Sequence, residues 1–94
     1  GDLSVDLVRR IVKLGGEEVK LSPKEYELLR LLIQHAGKVL THKFLLKELW
    51  SASIDPQYLR VYVRQLRNKI EPDPARPQYI LTETGIGYRL KAPD

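Results

Sequence analysis

The sequence contains no cysteine, so neither a disulfide bond nor a thiolate metal site can stabilise the fold. No apolar run approaches the roughly 20 residues that cross a bilayer, and Asp2 and Asp6 interrupt the segment where a signal peptide would be apolar. Low-complexity tracts are also lacking, and a hydrophobic content of 43% argues against disorder. These absences favour a small globular domain in a reducing, cytoplasmic compartment.

The length of 94 residues fits one domain with one modest core, and residues 1–94 are interpreted as a single domain. The first residue is glycine rather than methionine. We therefore expect the chain to be a fragment of a longer protein.

The charge of the chain is unevenly distributed. The formal net charge is +4, and the N-terminal half is nearly balanced between acids and bases. From Gln57 to Ile70 there is no acid, while Arg60, Arg64, Arg67 and Lys69 are all basic. A localised positive helix of this kind suggests a polyanionic partner.

The first 21 residues have the pattern of short strands. Leu3–Asp6 and Glu18–Leu21 alternate apolar and polar residues, and Arg10–Leu14 is β-branched at its centre. Gly15-Gly16 is typical of a two-residue hairpin turn. An N-terminal antiparallel sheet is predicted.

Two helix starts follow. Ser22 and Glu25 have the spacing of a capping box around Pro23, and helical periodicity predicts a helix over 23–36, ended by Gly37. Thr41 is a candidate N-cap for a second helix.

A third helix is predicted over 56–70, with Asp55 as N-cap and Pro56 in the first turn. Its apolar stripe of Leu59, Val63, Leu66 and Ile70 predicts a core-facing edge. The short connector before it makes the second and third helices a helix-turn-helix.

The opposite side of the third helix carries chemistry suited to DNA. Arginine can bind guanine with two hydrogen bonds, glutamine and asparagine can bind adenine, and valine can contact a thymine methyl group. The open alternative is an ordinary solvated surface, since basic surface helices are common. The residues on this side are Gln57, Val61, Arg64, Gln65 and Asn68, with Arg60 and Arg67 on one flank.

The last segment is a predicted hairpin in which Tyr79–Glu83 and Tyr88–Lys91 flank a reversal at 84–87. A hairpin in this position is the wing of a winged helix. The predicted fold class is therefore α+β: a winged helix-turn-helix with an N-terminal antiparallel sheet, three helices and a C-terminal β-hairpin wing.

The sequence resembles the OmpR/PhoB family of response-regulator output domains over nearly its whole length. Any one of the shared motifs is weak, but their order and spacing are highly specific. The motifs are Val12–Gly16, Leu21–Leu29, Gly37–Thr41, Leu45–Trp50, Val61–Arg67 and Gly85–Arg89. Within the family, Asp73–Pro77 and Thr82–Arg89 are most similar to the Kdp type, which regulates potassium-transport genes.

The resemblance implies a four-stranded N-terminal sheet and a receiver domain outside this chain, phosphorylated by a sensor kinase. It implies two copies bound head to tail on direct repeats of double-stranded promoter DNA, with the isolated domain monomeric. It also implies contact with RNA polymerase through the loop between the second and third helices. That loop is Ser51, Ala52, Ser53 and Ile54, with Asp55 at its edge.

Residue by residue, the family's DNA contacts fall on three parts of the chain. The recognition-helix positions are Gln57, Tyr58, Arg60, Tyr62, Arg64, Gln65 and Arg67. A backbone contact falls on Trp50, and wing contacts fall on Thr82, Thr84 and Tyr88 within the wing segment 82–88.

Two departures from the family pattern bear on DNA reading. Thr84 stands where PhoB-like members place an arginine that enters the minor groove, and Arg60 stands where many members have an acid. Base preference and the role of the wing are therefore expected to differ from theirs.

Competing functions are a winged helix used for protein interaction, and RNA binding, which is disfavoured because exposed sheet aromatics are lacking. No enzyme is predicted, because the sequence has no cysteine, no His-carboxylate motif and no phosphate-binding glycine loop. His35 and His42 lie on different elements without ligand-like neighbours, so neither a metal nor a cofactor is expected.

Overall fold

The computed structural model describes residues 3–50 and 54–92. Its strands form two antiparallel sheets, ordered β1-β2-β3 and β4-β6-β5, around three helices. This architecture confirms the predicted α+β class. The elements are β1 (Leu3–Asp6), β2 (Ile11–Leu14), β3 (Glu17–Val19), α1 (Pro23–Gln34), β4 (Val39–Thr41), α2 (His42–Leu49), α3 (Gln57–Ile70), β5 (Ile80–Glu83) and β6 (Gly87–Leu90).

The N-terminal sheet is a meander of three strands. Leu14 pairs with Glu17 across a two-residue turn in which Gly15 and Gly16 have φ of +59° and +85°. Such a turn needs positive φ at both positions, so the glycine pair was correctly interpreted. The implied fourth strand is wrong for the described part of the chain, because the next strand, β4, joins the other sheet.

Helix α1 begins with the predicted capping box. The Ser22 hydroxyl accepts from the Glu25 amide at 3.2 Å, and the Glu25 carboxylate accepts from the Ser22 amide at 2.9 Å. The helix ends at Gln34, two residues before the predicted end, and Gly37 follows with φ of +86°.

Helix α2 begins after Thr41, as predicted, and the Thr41 hydroxyl accepts from the Phe44 amide at 3.1 Å. The strand before it was not predicted. Leu40 in β4 pairs with Tyr88 in β6, nearly half the chain away. Because this pairing is long-range, the local sequence of Val39–Thr41 does not predict a strand.

Helix α3 begins one residue later than predicted. Its N-cap residue is Pro56, whose side chain makes no capping hydrogen bond. The proposed N-cap role of Asp55 is therefore wrong, although its carboxylate still accepts from the Gln57 amide at 2.9 Å. The predicted apolar stripe is confirmed, since all four of its residues are buried.

The C-terminal hairpin, called the wing here, consists of β5, β6 and the turn at 84–86. Glu83 pairs with Gly87, so the reversal has three residues rather than the predicted 84–87. Gly85 provides the positive φ, +77°, that the turn requires. Gly87 has a different role: a Cβ there would collide with the Leu40 carbonyl, so glycine lets β4 and β6 approach closely.

One core joins the three helices and both sheets. Leu28 and Leu32 of α1 and Leu66 and Ile70 of α3 are fully buried in it, together with Ile80 at the start of the wing. This core covers one edge of α3 and leaves the opposite edge exposed to solvent. In the described residues no helix combines the length and apolar character that crossing a membrane requires.

Candidate nucleic-acid interface

The edge of α3 opposite the core is exposed along its whole length. We call it the outer face of α3. Its members are Gln57, Tyr58, Arg60, Val61, Arg64, Gln65 and Asn68, all exposed. Val61, at the centre of this face, is 47% exposed. The predicted phase of the helix is confirmed by this arrangement.

The side chains of the outer face have no partners within residues 3–50 and 54–92. Arg60, Arg64 and Gln65 form no ion pair or hydrogen bond there. Arg60 and Arg64 lie one turn apart, where like charges cost a helix about 0.2 to 0.5 kcal/mol. The fold itself gains nothing from this pair, so the arrangement favours an external anion.

A cleft between α3 and the wing lies beside these arginines. Its volume is about 330 Å³, and it is open to solvent. The side chains of Arg60, Arg64 and Arg67 line one wall, and Tyr88 lies across from them. Three arginines lining one cleft favour the approach of an anion. The full lining is Arg60, Val63, Arg64, Arg67, Asn68, Pro74 and Tyr88.

Arg67 differs from the other two arginines. Its Nη2 donates to the Ile80 carbonyl at 2.8 Å and to the Thr82 hydroxyl at 2.7 Å, and its Nε donates to the same carbonyl at 3.2 Å. The guanidinium also lies 5.7 Å from the centre of the Tyr88 ring. Burial lowers the pKa of Arg67 below its ordinary value, and the opposing electrostatic effects of Tyr88 and Glu71 are smaller. The structure therefore shows Arg67 bound to the wing.

The predicted aromatic contacts are partly packed against the body. Trp50 and Tyr62 are half-buried, with ring centres 5.4 Å apart, and both pack on the core. The Lys24 ammonium lies 5.3 Å from the Trp50 ring. Only Tyr58, 57% exposed, extends freely from the helix.

The wing residues differ in accessibility. Thr84 is exposed at the turn, and Thr82 is exposed but accepts the hydrogen bond from Arg67. Tyr88 is only 6% exposed, with its ring 5.5 Å from that of His42. Ile86, which the sequence analysis did not select, is 55% exposed beside Thr84. The sequence feature that could have identified Ile86 is its position between Gly85 and Gly87, where an apolar residue is expected to be exposed.

Glu71 is a second residue that the sequence analysis missed. Its carboxylate is buried at the end of α3 and accepts from the backbone amides of Gln78, Tyr79 and Ile80 at 2.8 to 3.1 Å. It thereby fixes the end of the proline-rich loop at 72–79. No local pattern identifies such a residue, because its partners lie seven to nine residues further along the chain.

Neither histidine has the surroundings of a metal ligand. His35 packs edge-on against Phe44 at 5.8 Å, and His42 packs against Tyr88. Across residues 3–50 and 54–92, no group of three or more His, Cys, Asp or Glu side chains could hold a metal ion.

The linker predicted to contact RNA polymerase is described only at its end. Ser51, Ala52 and Ser53 lie outside the described residues. Ile54 is half-buried and Asp55 is exposed.

Comparison with known proteins decides the family. The family described as "Transcriptional regulatory protein, C terminal" matches residues 16–90, which run from the first hairpin through all three helices to the end of the wing. The chain belongs to this family. It is a DNA-binding output domain of the OmpR/PhoB response-regulator type, and its family consists of transcriptional regulators rather than enzymes.

The relatives of this output domain include Kdp regulators. It is 51% identical over 91 residues to the KDP operon transcriptional regulatory protein KdpE of Escherichia coli, covering 95% of the domain and 40% of that protein. The corresponding values for KdpE of Mycobacterium tuberculosis are 44%, 95% and 40%. The domain thus spans about two fifths of the length of these relatives, and the predicted similarity to the Kdp type is confirmed.

Solved structures show the same fold. The response regulator DrrB of Thermotoga maritima, an OmpR/PhoB homologue, matches 98% of the output domain and 42% of its own chain, with TM-score 0.94 and 38% identity. The RstA DNA-binding domain of Klebsiella pneumoniae, solved in complex with the RstA box, matches 97% of the domain and 92% of its own chain, with TM-score 0.86 and 34% identity.

Proposed function

We propose that this domain binds double-stranded DNA sequence-specifically, with the outer face of α3 in the major groove. The observation that carries the proposal is an exposed helix edge without an acid, on which Arg60, Arg64 and Gln65 lack intramolecular partners among the described residues. A major groove about 12 Å wide admits an α-helix and presents distinct donors and acceptors for each base pair.

Sequence is read by side chains near the middle of the outer face. Arg60 and Arg64 bind guanine edges, Gln65 and Asn68 suit adenine, and Val61 contacts a thymine methyl group. Gln57 and Tyr58, at the start of the helix, reach the flanking backbone.

Phosphates are held around the cleft between α3 and the wing. Arg60 and Arg64 line this cleft and add positive charge beside the bases that they read, while the exposed hydroxyl groups of Thr82 and Thr84 on the adjacent wing serve as the phosphate ligands. Hydroxyl and arginine groups are common phosphate ligands in DNA complexes. Trp50, Tyr62 and Tyr88 are half-buried or buried, so they act mainly by supporting these contacts and touch DNA at most with their edges.

In the full-length regulator we propose an N-terminal receiver domain, phosphorylated by a sensor kinase, and a cytoplasmic location. Two copies bind head to tail on direct repeats in a promoter, while the isolated domain is monomeric. The linker at 51–55 contacts RNA polymerase. The similarity to KdpE supports these assignments, because that protein is a transcriptional regulator more than twice the length of this domain.

Selection from a random duplex library tests the main proposal. The expected result is one enriched sequence motif, present as direct repeats, whose spacing gives the arrangement of the two copies. Affinity for the selected duplex is then measured over a range of salt concentrations. Each phosphate contact contributes about 0.9 to the slope of log affinity against log salt.

Two outcomes would refute the proposal. One is a selected duplex that binds no more tightly than random DNA at moderate salt. The other is absence of DNA binding at every salt concentration, together with capture of a protein partner that is lost when Arg60 and Arg64 are replaced. That second outcome would establish a protein-interaction module.

A further inference from the structure

Two side chains at the C-terminal end of α3, Arg67 in its last turn and Glu71 at its C-cap, hold one residue of the wing from both sides. Glu71 accepts from the amide of Ile80 at 2.8 Å, and Arg67 donates to the carbonyl of the same residue at 2.8 Å. The amide of Glu71 donates to the carbonyl of Arg67, so the two residues are adjacent at the end of the helix. We call this arrangement the Arg67–Glu71 clamp.

The clamp extends to the strand that leads to the wing tip. Arg67 also donates to the hydroxyl of Thr82 at 2.7 Å, so its guanidinium bridges two positions of β5. A planar guanidinium offers several donors in a fixed geometry, whereas a lysine ammonium is a compact point charge. Only arginine can therefore hold both acceptors in this geometry.

The clamp is protected from solvent. Glu71 is only 4% exposed and accepts from three backbone amides, and Arg67 is half-buried beside the Tyr88 ring. Buried hydrogen bonds to charged groups are expensive to lose, because the remaining partner stays without compensation. The wing is therefore fixed relative to α3 by polar contacts as well as by core packing.

We propose that Arg67 is a positioning residue, acting with Glu71 to set the wing against the outer face of α3, rather than a DNA ligand. This inference rests on the proposed function for its consequence: the wing and α3 contact one duplex only when their separation matches the DNA. It assigns Arg67 a role different from that of Arg60 and Arg64, which have the same chemistry.

The first test needs no DNA. Amide hydrogen exchange is compared between the wild-type domain and the variants Arg67→Lys and Glu71→Gln. Amides of the wing, at 80–83 and 87–90, should exchange about tenfold faster in both variants, as expected for losing one hydrogen bond to a charged group. Amides in α1 should keep their wild-type rates, which excludes general unfolding.

The second test uses the selected duplex. Arg67→Lys should weaken binding as much as Arg67→Ala does, although it keeps the positive charge. Glu71→Gln is the sharper variant, because removing an acid ordinarily strengthens binding to DNA. We expect it to weaken binding several-fold instead, and Arg9→Lys, in the exposed β1–β2 turn, to leave affinity unchanged.

The opposite pattern would overturn the proposal. If Arg67 is a phosphate ligand, Arg67→Lys keeps near wild-type affinity, Arg67→Ala lowers the salt slope by about 0.9, and the wing amides exchange at wild-type rates. Failure of the proposed function is separate, since it appears as wild-type protein that selects no duplex. In that case the exchange experiment still decides whether the clamp holds the wing.

Discussion

Arg64 and Arg67 are three residues apart on one helix, yet their surroundings have little in common. Arg64 extends into solvent from the outer face, without a hydrogen bond or ion pair in the described parts of the chain. Arg67 makes three hydrogen bonds to β5. The difference arises because a three-residue step turns the side chain by about 60° around the helix axis, which is enough to bring it from the outer face to the wing.

The same contrast separates the two edges of α3 as a whole. One edge is packed in the core and is needed for folding, and the other is free and is available for recognition. Residue type alone does not assign a side chain to either edge. Helical phase, together with the elements that the topology brings alongside, makes that assignment.

Leu66→Ala and Gln65→Ala compare adjacent positions on the two edges. Leu66 is fully buried, so its truncation should lower the free energy of unfolding by about 2 to 5 kcal/mol. Gln65 is exposed, and its truncation should change stability by less than about 0.5 kcal/mol. Urea denaturation measures both. Similar costs at the two positions would contradict the assignment of edges.

Arg64→Ala tests the free edge for recognition. Loss of a two-hydrogen-bond contact to a base should weaken binding to the selected duplex by about 1 to 3 kcal/mol, or about 5- to 150-fold. Stability should be unchanged, because the side chain makes no contact that the fold needs. Arg9→Ala, with the same change in charge in the β1–β2 turn, is the matched control, and equal losses for the two variants would reduce recognition to non-specific charge.

The ion pair between Glu25 and Lys69 tests how the flank of α3 is held to α1. The Lys69 ammonium lies 2.6 Å from the Glu25 carboxylate. Burial raises the pKa of Glu25, but hydrogen bonds from Lys69 and Ser22 outweigh it, so the pKa lies below the ordinary value of 4.5. The carboxylate therefore stabilises the fold fully above pH 4.5, and this contribution is lost as the pH falls through the lower folded-state pKa.

Glu25→Gln measures that contribution. At pH 7 the variant should be less stable than the wild type by about 1 to 2 kcal/mol, and the difference should shrink towards zero in strong acid. Denaturant unfolding at several pH values gives the result. A difference that does not depend on pH would mean that the capping geometry, rather than the charge, is responsible.

Thr84→Arg sharpens the role of the wing tip and has the smallest expected effect. An arginine at the exposed turn should reach one further phosphate or the minor groove, and should raise the salt slope by about 0.9 with a several-fold gain in affinity at low salt. Salt-dependent titration of the selected duplex measures this. An unchanged slope would place the tip away from the DNA.

The parts of the fold that were predictable are those that local physics decides. The capping box of Ser22 and Glu25 and the Thr41 cap each depend on residues within one turn, so they could be recognised in sequence. The apolar stripe that contains Leu66 was also visible, because burial repeats with the helical period. These features fixed the orientation of the outer face of α3.

The remainder depends on contacts between distant segments. Strand β4 exists because Leu40 pairs with Tyr88, and the Glu71 carboxylate is buried where the amides of residues 78–80 converge on it. Asp55 is a residue type that often caps helices, but the N-cap position is taken by Pro56, one residue further on. The sequence does not distinguish Arg67 from Arg60 or Arg64, because the difference depends on the position of β5 beside the helix.

The close approach at Gly87 has a consequence for engineering. Since the Leu40 carbonyl occupies the space of a side chain at position 87, the hairpin is fitted to the segment that enters α2. A hairpin transplanted from another regulator would pair with β4 in the same way only if it had a glycine at this position. When hairpins are exchanged between relatives, the residue at position 87 is therefore constrained, whereas the exposed turn at 84–86 can vary.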